Sequence, residues 1–524
     1  MSQLTETPTS TLPKLSNPVI MLVLCACLAQ VMVVLDTTII AVGLPAAQEG
    51  LGFSNSGRQW TITAYTLAFG SLLLVGGRLS QFLGIRRAFL LGLTGFAVAS
   101  FLGGVASNFE MLIAARVGQG VFAALLAPTN LSLMNTAFPD RHNRAKAFAI
   151  FGAVAGAGAA LGLILGGALT ESLSWRWCLF VNVPLALLTG ILAWRMLHSV
   201  PVRTKTRLTA DVLGLGLGTA GLFSLVFGLS RAEENGWDGA QTLVFLAGGF
   251  VLLILFLVRE RRASSPILPL SIVTDPVRAS SYLAIAMVGL VQMGSSIYLT
   301  FYFQKNLDYS PLETGLAFLP LVGGLVVAAL FSTRLLVPLL GLRFVYPAGA
   351  CIQAIGLWML SPLDPASDYT SSVLLPIIVI GLGLGTVMAP AMSAATHGVA
   401  AEHSGPASAT ANTSQQIGAS LGVAFLSTYA AQRVSESLTD KASTIQDAVA
   451  TAVAAKQLNP ESAEAAQIIT GIQKDFMAIA EISAYAAGFQ VTALIAAALA
   501  AATLFLLLAT RSGGPVARDR TGRS

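Results

Sequence analysis

The 524-residue chain is 55% hydrophobic and only 10% charged, with a mean hydropathy of +0.74, against about 25% charge in soluble domains; it reads as an integral membrane protein. Its formal charge of +5 comes from Lys and Arg spread among short loops, with no basic run interleaved with aromatics, which excludes a nucleic-acid surface. Four cysteines (Cys25, Cys27, Cys178, Cys351) without a CxxC pair, and four histidines without HExxH-type spacing, exclude a disulfide framework and a zinc site.

Residues 1–17 form a short polar tail. They do not read as a secretory signal, because the apolar run that follows is too long and has no small-residue cleavage site. A spanning helix needs about 20 apolar residues. Fourteen stretches qualify: 18–44, 59–78, 86–107, 109–137, 143–170, 177–197, 210–230, 240–259, 279–304, 313–336, 342–362, 371–397, 405–430 and 484–510. They are rich in Gly and Ala, which permit close helix packing in lipid, and do not alternate as barrel strands do. With both termini in the cytoplasm, 21 of the 30 basic residues fall on the inner side, eight on the outer, and Arg116 inside a span. That bias sets the orientation. The long outer loop, 431–483, is expected to hold two short Ala-rich helices broken at Pro460, as an extracellular cap or a lid.

The chain repeats itself. LGIR at Leu83–Arg86 returns as LGLR at Leu340–Arg343, GAALG at Gly158–Gly162 as GASLG at Gly418–Gly422, and GQG...AP ending at Pro128 as GLG...AP ending at Pro390. Three matches in one order, at offsets of 257, 260 and about 262, argue for two related six-helix halves, 18–197 and 279–510. Two further helices and a linker, 198–278, are inserted between them, and 511–524 is a cytoplasmic tail. Repeated halves around a central site suit an alternating-access transporter.

Within these spans Asp36 is the one deep acid. Held charged in hydrocarbon it costs about 2.5–3.5 kcal/mol. Burial disfavours the charged form of a carboxylate, so Asp36 can be a proton carrier, or else a structural acceptor for backbone or for Thr37 and Thr38. Arg116 is the one deep cation, and Gln119, three residues on, shares its face; the amide either serves a proton site or bonds a neighbouring helix. Gln292, Tyr298, Phe301 and Tyr302, with Gln415 and Gln416, are candidate cavity groups, with helix packing the competing reading. Gly152, Gly156, Gly158, Gly162, Gly166 and Gly167 fall mostly at helical spacings of four and allow a close, sliding seam.

The sequence resembles the major facilitator superfamily, and within it the fourteen-span drug:proton antiporters. The resemblance rests on LDTTIIAVGLPAAQ in the first span, GGRLSQFLGIRR (Gly76–Arg87), ARVGQGVFAALLAP (Ala115–Pro128), GAALGLILGGAL followed by SWRWCLFVNVP, and SPILPLSIV before the ninth span. It implies an all-helical major facilitator fold and a gate at Gly77, Arg78, Gln81, Gly84 and Arg86, for which positive-inside anchoring is the competing reading; for Arg87 the two weigh equally. It also implies an antiporter seam at Gly158, Gly162, Gly166 and Gly167. In that fold the first and fourth helices line the cavity, and Asp36 and Arg116 both lie about 10–12 Å below the outer boundary at 1.5 Å per residue. A direct or water-mediated pair follows, unless Arg116 only bonds helix carbonyls. Two departures stand out: Gln81 replaces the usual acid and Ile85 the usual base of the gate loop, which weakens the expected latch, and Leu163 replaces the usual proline of the fifth span.

The implied function is proton-coupled efflux of lipophilic or cationic small molecules across the inner membrane. There is no ATP-binding motif, so no cofactor is expected and the proton gradient supplies the energy. The absence of a buried acid in the C-terminal half favours neutral or monocationic substrates. A dedicated exporter of one metabolite or lipid is the alternative. A membrane-embedded enzyme lacks the polar clusters it would need. The expected partners are a small-molecule substrate, protons and the bilayer, with a monomer as the default.

Overall fold

The computed structural model describes residues 17–137, 154, 158, 161–196, 211–263, 266–399, 404–455 and 463–509, and all the regular structure among them is helical. The amino-terminal half comprises α1 (Asn17–Leu51), α2 (Asn55–Leu83), α3 (Ile85–Gly104), α4 (Phe109–Ala137), α5 (Leu161–Ser172), the short α6 (Trp177–Phe180) and α7 (Asn182–Met196). The inserted pair is α8 (Val212–Asn235) and α9 (Ala240–Arg262). After the short α10 (Leu270–Thr274), the carboxy-terminal half runs through α11 (Pro276–Phe301), α12 (Pro311–Ala317), α13 (Leu319–Phe331), α14 (Val337–Leu340), α15 (Leu342–Met359), α16 (Leu374–Ala395), α17 (Ser404–Asp440), α18 (Ala442–Ala455) and α19 (Ala463–Ala509). The end of the bundle where α1 begins is termed inner, following the charge expectation.

Eleven helices among the described residues are long and apolar enough to cross a membrane. Of the other three expected spans, the fifth is described chiefly as the shorter helix α5, the eleventh is α15 with 18 residues, and the thirteenth is the polar α17 with 37. Among the described residues, length and apolarity thus single out eleven of the fourteen expected spans.

The repeat has a physical counterpart. Gly84 at φ +78° separates α2 from α3, and Gly341 at φ +73° separates α14 from α15; each allows two helices to abut in a left-handed corner that a side chain resists. Pro128 lies inside α4 and Pro390 inside α16. Gly158 and Gly162 press on α1 at Val31 and Leu35, as Gly418 and Gly422 press on α11 at Ala286 and Leu290.

At the outer end the halves meet backbone to backbone. A Cβ on Gly167 of α5 would stand 2.6 Å from the Leu312 Cα of α12, and one on Gly315 would stand 2.7 Å from the Leu163 carbonyl. At mid-depth Gln416 of α17 packs against Gly70 of α2. Helix α8 bridges the halves: it packs on both α2 and α17, and Thr428 donates to the Ala232 carbonyl at 2.9 Å. Near its outer end the Arg231 guanidinium lies 5.4 Å from the Trp60 ring and 5.1 Å from that of Phe227. Helix α9 lies against α8 through Gly221, Gly228 and Gly249 and turns Val244, Phe250 and Val251 outward, as a lipid-facing helix should.

The stretch 431–483 meets the sequence expectation in part: a short helix stands at Ala442–Ala455, but the helices that flank it are continuous with the neighbouring spans. Helix α17 continues to Asp440, α18 packs on α19, and α19 runs unbroken for 47 residues into the last span. No proline interrupts Ala463–Ala509; at 1.5 Å per residue α19 is about 70 Å long, more than twice a hydrocarbon core of about 30 Å. Pro460 lies outside the described residues.

Candidate functional site

Asp36 sits in the middle of α1 with no exposed surface. One of its oxygens, Oδ2, accepts from Arg116 Nη1 at 2.7 Å. The other, Oδ1, accepts from Gln119 Nε2 and from Asn182 Nδ2, both at 2.7 Å. Helix periodicity brings Arg116 and Gln119 onto one face of α4, and α7 begins at Asn182, so its first residue reaches inward to the same carboxylate. The pair expected from depth is therefore direct.

Arg116 is held from several sides. Nη1 also donates to Gln119 Oε1 at 2.8 Å, Nε donates to the Thr61 carbonyl of α2 at 3.1 Å, and the guanidinium carbon lies 4.6 Å from the Tyr65 ring centre. Both sequence readings of this arginine hold at once: ion-pair partner and carbonyl donor. The Gln119 amide donates both to Asp36 and to Ser100 of α3, the latter at 2.8 Å, so it bonds neighbouring helices as one of its two readings expected. Thr37 and Thr38 do not serve Asp36; their hydroxyls donate to the Val34 and Leu35 carbonyls of their own helix.

A buried ion pair offsets its desolvation only when further hydrogen bonds complete it, and these do. Five helices contribute: α1, α2, α3, α4 and α7. Two buried polar atoms beside the pair have no hydrogen-bond partner, the Tyr65 hydroxyl and Asn182 Oδ1. Asn182, Ser100, Thr61 and Tyr65 were not singled out from sequence. Asn182 carried the one usable signal, an amide within an apolar stretch of SWRWCLFVNVP.

The gate residues gather at the inner end of α2. Arg78 is buried and donates to Gln81 Oε1 at 2.9 Å, its side chain 5.9 Å from the Phe82 ring. Ser80 caps back to the Gly77 carbonyl at 2.8 Å, and Arg86 Nη2 reaches the Trp194 carbonyl at 3.5 Å. Arg87 is exposed. Of the seam glycines, Gly158 and Gly162 lie against α1, Gly166 lies against Ile39, and Gly167 lies against α12; Gly152 and Gly156 are outside the described residues.

The cavity candidates of the C-terminal half are not brought to Asp36. Gln292, Phe301, Gln415 and Gln416 are half-buried, and Phe301 lies under the Lys305 ammonium at 5.4 Å. Tyr298 is buried, stacked 4.7 Å from Tyr485 and edge-on to Phe489. Tyr302 is buried and donates to the Ser367 carbonyl at 2.9 Å. For these two tyrosines helix packing describes the contacts. The best-defined hollows lie elsewhere: one at the outer end between Phe53, Trp60 and Glu110, and an apolar groove between α3 and α4 lined by Val98, Leu102 and Phe122.

The family model for the Major Facilitator Superfamily matches residues 26–423. The puromycin resistance protein pur8 of Streptomyces alboniger is 44% identical over 76% of this chain and 79% of its own length. The cephamycin export protein CmcT of Amycolatopsis lactamdurans is 40% identical over 81% and 87%, and the tetracenomycin C resistance and export protein of Streptomyces glaucescens is 32% identical over 78% and 76%. Among solved structures, a bacterial homologue of the human lysosomal transporter Spinster, inward-facing and unoccupied, matches with a TM-score of 0.61 over 94% of this chain and 98% of its own, at 15% identity; that likeness speaks for the fold.

Proposed function

The chain belongs to the major facilitator superfamily, and is a multi-pass membrane transporter rather than an enzyme; on that premise we propose that it exports antibiotic-like lipophilic or monocationic small molecules in exchange for protons, by alternating access. The relatives named for puromycin, cephamycin and tetracenomycin support the export direction and the substrate class. The observation that carries the proton reading is the fully buried Asp36 held by Arg116, Gln119 and Asn182.

In this conformation three donors occupy both carboxylate oxygens. In the proposed cycle a proton reaches the carboxylate once those donors withdraw, which needs a rearrangement between α1 and the two helices that supply them, α4 and α7. Asp36 is the carrier, Arg116 its electrostatic partner, and the Gly77–Arg86 loop the gate. The proton gradient of the inner membrane supplies the energy.

The test uses proteoliposomes with an imposed pH gradient, with ethidium and puromycin as probes. Wild type is expected to move the probe uphill and release protons in step. Asp36→Asn, which is isosteric but cannot titrate, should reach the membrane and still bind probe while losing gradient-driven uptake. Wild-type coupling in Asp36→Asn would falsify the carrier assignment. A second reading, a dedicated exporter of one compound, draws on the relatives named for a single product; transport of one probe from a broad panel favours it.

A further inference from the structure

The inserted helix pair has no role in the repeat, yet it carries a buried acid. Glu260, in the last turn of α9, is 4% exposed. Its Oε2 accepts from the Leu268 backbone N–H at 2.8 Å, in the linker that leads to the carboxy-terminal half. Its Oε1 is buried without a hydrogen-bond partner and lies 3.0 Å from where a Gly214 Cβ would stand on α8.

Three helices place a cation beside it. A Cβ on Gly218 of α8 would lie 3.2 Å from Phe256 of α9 and 3.4 Å from Leu74 of α2, so these residues share one layer. Both α2 and α9 run toward the inner end and α8 runs away from it. One turn inward on each helix stand Arg78, Glu260 and Gly214, four residues from Leu74, Phe256 and Gly218. Arg78 is 7% exposed, so a buried cation and a buried acid share this layer. The second acid of this corner, Asp211, is already engaged: it caps α8 at the Gly214 N–H and holds Arg259 at 2.9 Å.

We propose that Glu260 is the acid of the inner gate, supplying from the inserted helices the countercharge to Arg78 that position 81 lacks. Gln81 offers Arg78 a neutral carbonyl oxygen, and an acid in the same layer offsets the cost of burying a guanidinium. Because Glu260 also holds the Leu268 N–H, one carboxylate ties the end of α2, the inserted α9 and the linker of the other half. The inserted pair is thereby a working part of the gate.

The proposal rests on the gate reading of Gly77–Arg86, and the test separates the two. Spin labels on the inner loops of the halves, at Arg87 and Leu340, both exposed, report inner opening in nanodiscs. Glu260→Gln keeps an acceptor for the Leu268 N–H and removes only the charge. It should change the open-to-closed ratio about five-fold, the effect of one modest interaction on a two-state balance. Adding Gln81→Asp, which restores an acid on the face of Arg78, should return the distribution to wild type. Where Glu260→Gln inserts poorly, the charge-swapped pair Arg78→Glu with Glu260→Arg serves instead, and recovery beyond either single change is expected. An effect of Arg78→Gln with none of Glu260→Gln overturns the assignment of Glu260 and leaves the gate. No effect of Arg78→Gln overturns the gate reading itself. Additive damage in Glu260→Gln with Gln81→Asp also overturns the proposal.

Discussion

Asp36 uses both carboxylate oxygens and three donors, so substitutions around it differ in kind. Arg116→Ala leaves a buried acid without its cation, a loss of about 3–5 kcal/mol in measured buried pairs; thermal stability in detergent should fall and export should vanish. Arg116→Lys keeps the charge but has no planar fork, so it cannot hold Asp36, Gln119 and the Thr61 carbonyl together. It should insert normally and export roughly five-fold more slowly, given about 1 kcal/mol for the contacts it loses. Export equal to wild type would show that the fork is not needed. Asn182→Leu removes one donor to the carboxylate with little change in volume. Probe binding should persist while protons moved per probe fall, and an unchanged ratio in a vesicle flux assay would make Asn182 a packing residue. The charged pair was legible in the sequence because a deep acid and a deep arginine are rare in spans. Asn182, Ser100 and the Thr61 carbonyl were not, because neutral polar groups recur in every helix and only three-dimensional approach selects among them.

At the scale of helices, small residues decide which seams can close. Gly167 faces the backbone of Pro311 and Leu312, which cannot move aside as a flexible side-chain tip can. Gly167→Val should therefore disfavour the closed outer seam and leave α5 intact. Labels at the outer ends of the halves should show a longer mean distance, and uphill export should drop. An unaltered distance distribution would place the outer closure elsewhere. The seam glycines and the corner at Gly84 could be read from spacing and from the LGIR repeat, since close approach and positive φ both demand glycine. Of the two helices expected in 431–483, the second was judged too short, because the uninterrupted helix-forming run beyond Ala463 carries it on into the last span as α19. One expected span does not stand out by apolarity, for a physical reason: α17 carries Ser, Thr and Gln where it packs against α2, α4, α8 and α11, so a helix screened from lipid has no need of an apolar surface.

For the whole molecule, orientation determines the direction of transport. From the inner-side excess of Lys and Arg we expect the Asn235 corner, between α8 and α9, outside, and the linker at Thr204 inside. Asn235 is exposed at the end of its helix; Thr204 lies outside the described residues. Of the native cysteines, Cys25, Cys27 and Cys178 are buried and Cys351 is exposed, so replacing Cys351 with serine leaves a background suited to thiol labelling. In intact cells an impermeant maleimide should then label Asn235→Cys and spare Thr204→Cys until the membrane is permeabilised. The reverse pattern would invert the molecule, turn the seam at Gly167 and Gly315 toward the cytoplasm, and move Arg78 and Glu260 to the outer gate. Export driven by inward protons would then require Asp36 to load from the other side, so this one labelling pattern bears on the orientation, the gate and the direction of coupling together.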